Sequence, residues 1–506
     1  MNTAAGRAFL AFTATLLLAP AAALHSAEGR PSRPNVVFIL ADDLGYGDLG
    51  CYGQTKIRTP SIDRMAVEGM RFTQHYSGSP VCAPSRCVLM TGRHPGHAYV
   101  RDNRGYQPEG QEPLSADAIT LPKLLKSAVY FTGGFGKWGL GGPGTSGDPL
   151  NQGIDRWFGY NCQSVAHNFY PTYLWDDGRK LALPNPAFSA YDRLKPGEDP
   201  NDPGSYRRFQ GSQYSADLIA EQARKFIRDN KDRPFFCYVP TTVPHLALQV
   251  PDESLKEYLG RWDDPPYQGG NGYLPHFAPR AAYAAMITRM DREVGRILDL
   301  IEELGLEENT IVIFSSDNGP LNGVHQGLAG TDAAFFNSSG GLRNGKGTVY
   351  EGGLRVPGLV RWKGRIRPGT VSDRVTGFED WLPTLLELTN LKEKTPAGID
   401  GISFAPTLRG ERQPERPFLY REFPGYGGQQ CLRVGDWKAV RQNLQSNKKA
   451  IAQGLRPTLE VYNIAADPRE EHNVAAAHPE VVARLTRIMK EQHTPSKEFP
   501  FAALDK

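Results

Sequence analysis

The sequence predicts an α/β fold: a large, mostly parallel central sheet flanked by helices, plus a small C-terminal α+β domain with an antiparallel sheet. Three observations predict it. Two apolar runs, PNVVFILADD (34–43) and NTIVIFSSDNGP (309–320), have the Val/Ile/Phe content of strands covered on both faces. Helical patterns lie between these runs. After Gly410 the texture changes to short strands and one closing amphipathic helix.

Taken in order, residues 1–27 read as a cleaved secretory signal. Arg7 precedes an apolar stretch too short to span a bilayer, with small residues Ala21 and Ala23 near its end. The 34–43 strand follows, then a helix through SIDRMAVEGMRF (61–72) with Ser61 as its cap. Pro84 suits the first turn of a helix through PSRCVLMTG (84–92), which places Cys82 just ahead of it. Residues 141–206 and 250–280 are rich in Gly, Pro, Asn, Asp and aromatics, and read as long loops that carry substrate selection. Helices are expected at 215–230 and 281–305, and a further strand in PFFCYVPTTVPH (234–245). Residues 28–410 form the main domain on this reading and 411–506 the small one.

Composition narrows the function. The chain has 506 residues, 40% hydrophobic and 22% charged, with a formal net charge of +3. That balance gives no polybasic surface for nucleic acid, and no later stretch is apolar enough to anchor the chain in a membrane. Six cysteines without a CxxC pair are too sparse for a disulfide framework or a zinc ribbon, although one or two bridges remain open.

Chemistry concentrates at strand ends. Ligands in open α/β sheets gather beyond the carboxyl ends of the strands, where two runs deliver Asp42, Asp43, Asp317 and Asn318. Clustered carboxylates repel unless a positive charge separates them, and an oxygen-only set suits Ca²⁺ or Mg²⁺ better than zinc. Cys82 is open to three roles: core residue, bridge or nucleophile. Its place before a helix, with Arg86 one turn on, makes an anion pocket around it.

The stretch CAPSRCVLMTGR (82–93) resembles the signature of the sulfatase family, within the alkaline-phosphatase-like superfamily. GFGKWGLGG (134–142) resembles that family's second signature, and VVFILADDLGYGDLGCYG, TTVPHLALQVP, FSSDNGP, GKGTVYEGGLRVP and NIAADPREEHNV extend the likeness along nearly the whole chain. The resemblance implies an alkaline-phosphatase-like sandwich and a secreted or periplasmic hydrolase of sulfate esters. It implies that a separate formylglycine-generating or sulfatase-maturating enzyme oxidises Cys82 to Cα-formylglycine. It also implies a divalent cation, Ca²⁺ with Mg²⁺ as the alternative, on Asp42, Asp43, Asp317, Asn318 and the modified Cys82.

In the family's chemistry one oxygen of the hydrated aldehyde attacks sulfur and the alcohol departs. The second hydroxyl then collapses to the aldehyde and expels sulfate. Arg86 would hold the formylglycine and the carboxylates; Lys137 and Lys346 would neutralise the sulfate and the leaving oxygen; His245 would contact sulfate or protonate the alcohol. One departure stands out. The family often reads GKWHLG, and this chain has Gly139 where that histidine belongs; His167 is the candidate substitute. Tyr170, Tyr173, Trp175 and Asp176 are candidate contacts for a sulfated carbohydrate. The competing readings are a phosphodiesterase or phosphonate monoester hydrolase of the same superfamily, and a non-catalytic carbohydrate-binding relative.

Overall fold

The computed structural model describes residues 1, 33–270, 272–324, 327–445 and 454–505. The expected signal segment, 1–27, lies outside the described residues apart from Met1. Among the described residues no helix is long and apolar enough to cross a membrane.

A ten-stranded mixed sheet forms the centre, in the order Thr370–Ser372, Met70–Phe72, Gly358–Arg361, Thr310–Ser316, Asn35–Ala41, Phe235–Pro240, Phe131–Lys137, Arg156–Tyr160, Tyr173–Asp176, Arg179–Ala182. The four strands from Thr310–Ser316 to Phe131–Lys137 are mutually parallel, as is Arg156–Tyr160, and antiparallel strands flank them. The expected architecture is borne out. Alternation along Asn35–Ala41 explains the apolar run: Val37, Ile39 and Ala41 enter one core and Val36, Phe38 and Leu40 the other. Helices Pro60–Glu68, Ser215–Asp229 and Pro279–Glu303 cover the first face; Cys82–Thr91, Leu121–Lys126 and Trp381–Leu388 cover the second.

Two local expectations are corrected. The helix expected from Ser61 starts at Pro60, and no side chain at its own N-cap bonds it. Instead Asp291, from the long helix beside it, accepts from the amides of Ser61 (3.1 Å) and Ile62 (2.7 Å). The 141–206 segment also contains three strands, because its short, turn-punctuated runs pair with the sheet edge. All six cysteines carry free thiols.

The small sheet, Leu419–Phe423, Gln429–Val434, Trp437–Gln442 and Thr458–Asn463, is antiparallel throughout. One face (Tyr420, Leu432, Ala439, Val461) takes Val481, Leu485 and Met489 of helix Pro479–Glu491. The other face (Leu419, Phe423, Cys431, Val440, Tyr462) packs on Tyr76, Val81, Val349 and Tyr350. Val81 immediately precedes Cys82, and Val349 stands three residues past Lys346.

Candidate active site

Register builds the site. Ala41 pairs with Ser316, so the next residues of both strands emerge side by side, and Asp317 N donates to Ala41 O at 3.0 Å. Asp43 turns into the left-handed region at φ 63°, and its amide donates to Asp317 Oδ1 at 3.2 Å. Asn318 Nδ2 donates to Asp43 Oδ1 at 2.7 Å. The neighbouring strand ends supply Lys137 and, a short turn later, His245. Asp42, Asp43, Asp317, Asn318, Cys82, Arg86, Lys137, His245 and Lys346 are all buried here.

Cys82 is the first residue of helix Cys82–Thr91 itself, not a residue ahead of it, and the whole helix is buried. Its Sγ lies 3.4 Å from Asp42 Oδ1 and 3.7 Å from Lys137 Nζ. One turn on, Arg86 donates to Asp317 Oδ2 through Nε (3.1 Å) and Nη2 (2.8 Å), with Asp42 at 3.4 Å. Another guanidinium nitrogen donates to the Lys137 carbonyl, so the arginine braces both strand ends. Lys137 Nζ bonds Asp42 at 2.6 Å and Lys346 Nζ bonds Asp43 at 2.8 Å. His245 gives Nδ1–H to the Leu246 carbonyl at 2.6 Å and turns Nε2 to within 3.5 Å of Asp43.

The electrostatics follow from burial among unlike charges. Burial pushes the Asp42 carboxyl up, yet Lys137, His245, Arg86 and Lys346 together outweigh it and hold it well below the usual range. Asp317 is pushed up to about 6 by burial and by the Asp42 charge. Burial, then Lys346 and Lys137, push His245 well down, so its imidazole is neutral. Burial and the Asp42 carboxylate push the Cys82 thiol up, so an unmodified thiol here is a poor nucleophile.

The donor set fits a hard cation. Oδ1 of Asn318 is buried without a hydrogen-bond partner among the described residues. Donor atoms of Asp42, Asp43, Cys82 and His245 lie within 4.8 Å of one another. Two other such clusters among the described residues, His94/His97/Asp400 and Asp467/Glu471/His472, are less buried.

A sequence model of the sulfatase family matches residues 34–391. The chain belongs to the sulfatase family. A second model, the C-terminal region of N-sulphoglucosamine sulphohydrolase, matches residues 344–495. This sulfatase is 34% identical over 501 residues to human arylsulfatase A, covering 94% of this chain and 90% of the relative. It is 31% identical over 508 residues to the dog N-acetylgalactosamine-6-sulfatase, covering 96% and 85%. The solved structure of Ps i-CgsB in complex with k-i-k-neocarrahexaose superposes with a TM-score of 0.70 at 25% identity, covering 91% of this chain and 92% of that one. The protein is thus a sulfuric ester hydrolase.

Sequence reading and structure differ over the periphery of the sulfatase site. The ring of His167 stacks on His245 at 4.5 Å and 9°, with Nδ1 2.6 Å from the Tyr191 hydroxyl. It does not occupy the space left by Gly139; the Gln163 side chain does. Tyr191 and Gln163 escaped the sequence analysis, although an unexplained glycine in a signature marks where a neighbour must intrude. Of the candidate carbohydrate contacts, Tyr170 is core, packed on Tyr214 at 5.4 Å. The Trp175 indole is spent on Glu109 (2.8 Å), and Asp176 pairs with Arg156. Only Tyr173 among them lines a cleft of about 320 Å³, with Ser164, Asn168, Phe188 and Tyr191.

Proposed function

We propose that this sulfatase is exported and removes sulfate from a sulfated carbohydrate, through a formylglycine made from Cys82 and a bound divalent cation. The observation that carries the reading is the position of Cys82. Its Sγ stands at a helix N-terminus, beside the Asp42–Lys137 pair and in one cluster with Asp43 and His245. Asp42, Asp43, Asp317 and Asn318 would hold the cation, Ca²⁺ or Mg²⁺, beside residue 82. When bound, the cation would acidify an oxygen on residue 82 and add positive charge for the arriving ester.

The chain's own groups do the rest. Arg86 fixes Asp317 and Asp42. Lys137 and Lys346 present fixed positive charge to the arriving sulfate ester and to the leaving oxygen. His245, neutral with Nδ1–H committed to a carbonyl, presents Nε2 as an acceptor. It would first take up a proton within the site and only then pass it to the departing alcohol. The Tyr173/Tyr191 cleft beside His167 offers aromatic faces for a sugar ring. The carbohydrate reading is supported by the substrates named for relatives and by the complex of Ps i-CgsB with k-i-k-neocarrahexaose. Residues 28–410 remain the proposed catalytic domain and 411–506 the small one.

Mass spectrometry of the peptide carrying Cys82, from a host with a maturating enzyme, should show the aldehyde. Cys82→Ala should release no sulfate from sulfated oligosaccharides or aryl sulfates. Fully active protein with an unmodified thiol would overturn the mechanism. Preferred turnover of phosphonate esters would favour the rival chemistry, for which the likeness to the Agrobacterium radiobacter phosphonate monoester hydrolase, at 19% identity, shows the fold alone.

A further inference from the structure

Gly139 has φ +80°, and a Cβ built on it would stand 2.5 Å from Gln163 Nε2, 3.1 Å from its Cγ and 3.2 Å from its Cδ. The nearest atoms all belong to one side chain. A side chain at 139 and the Gln163 side chain as it stands therefore exclude each other. Gln163 is 5% exposed, and its Nε2 has no hydrogen-bond partner among the described residues. A buried amide without a partner is costly, and it persists where a ligand completes it.

The backbone holds the amide in place. Trp138 N donates to Tyr160 O at 2.9 Å, Gly139 N to Asn161 O at 3.3 Å, and Gln163 N to Gln111 Oε1 at 2.7 Å. Residues 160–163 thus run alongside the segment that begins at Lys137, whose Nζ touches Asp42 and lies near Cys82. The amide donor therefore lies against Gly139, two residues along the chain from the lysine whose ammonium group bonds Asp42.

We infer that Gln163 takes the place of the absent histidine at this wall of the pocket and donates its Nε2–H to a sulfate oxygen of the substrate. The inference rests on the reading of the site as a sulfate ester pocket. A carboxamide donates without titrating, so Gln163 supplies binding and orientation and no base. Proton removal from residue 82 then falls to another group.

The test uses the mature enzyme, with inorganic sulfate as the probe. Gln163→Met keeps the length and removes the donor; Gln163→Glu keeps the shape and puts a negatively charged acceptor in the donor's place. Gln163→Met should weaken sulfate binding, read by calorimetry and by inhibition of aryl sulfate hydrolysis, about tenfold or more. Its melting temperature should hold or rise, because an unpaired amide leaves the interior. Gln163→Glu should bind sulfate more weakly still. A side chain that merely fills space predicts the same melting behaviour but unchanged sulfate affinity in Gln163→Met. Wild-type affinity in Gln163→Met overturns the inference alone. A wild-type protein that binds no sulfate and hydrolyses no sulfate ester overturns both the inference and the sulfatase-pocket reading.

Discussion

Each acidic residue at the strand ends already has a cation from the chain itself: Lys137 for Asp42, Lys346 for Asp43 and Arg86 for Asp317. Three carboxylates and three cations cancel, so a dication added to the cluster leaves a positive pocket for an anionic ester. The balance also explains why burial leaves these carboxylates so unequal, with Asp42 held down and Asp317 pushed up. Removing one cation upsets the set. Lys346→Met should lower kcat/KM of the folded fraction for an aryl sulfate by about 10²–10³, the usual scale for losing one charge-stabilising group. Steady-state kinetics beside a melting curve checks it. An equal fall in activity and melting temperature would mean that Lys346 is structural.

Elements carry these residues to the edge, and their own ends need satisfying. Helix Pro60–Glu68 borrows Asp291 from the long Pro279–Glu303 helix, which accepts two first-turn amides. Burial pushes the Asp291 carboxyl up to about 6 despite those bonds. Asp291→Ala strands two donors and should destabilise the protein by about 2 kcal/mol; Asp291→Asn, which keeps one acceptor, should cost less. Denaturant midpoints measure both, with activity per folded molecule unchanged because the pair lies away from the pocket. Helix Cys82–Thr91 differs in kind. With every residue buried it has no solvent face, and its first residue is fixed by the packing of Val81 against the small sheet.

At the scale of the whole molecule, the small sheet braces the active site. Its inner face touches Val81 and Val349, next to Cys82 and near Lys346, and Glu379 ties it to the main sheet's helical layer. Glu379 is buried and accepts from Arg421 (3.1 and 2.8 Å) and Arg416 (2.6 Å). Burial pushes its carboxyl up, but the two guanidinium groups outweigh it and hold it at about 2, below its ordinary 4.5. Its contribution is therefore complete above pH 4.5 and fades as pH falls toward 2. Glu379→Gln should cost about 3–5 kcal/mol near neutral pH, as for other broken buried pairs. The gap in melting temperature from wild type should close between pH 4.5 and 2. A gap independent of pH would assign the loss to packing.

The sequence by itself determined the fold class, the order of the main strands and helices, the acid pairs at the strand ends and the residues of the two signatures. Such features are local: apolar runs, Pro at a first turn, Asp and Asn after a strand. Tertiary structure alone decided what lies across from what. Register set Asp42 beside Asp317, and a distant helix supplied the cap that Ser61 was expected to provide. The fold also buried Tyr170 against Tyr214 and brought Gln163 against Gly139. The physical reason is that a strand's pattern records how deeply it is covered, not which strand covers it. A glycine records only that something comes close, and which side chain comes close is settled by packing across the sheet.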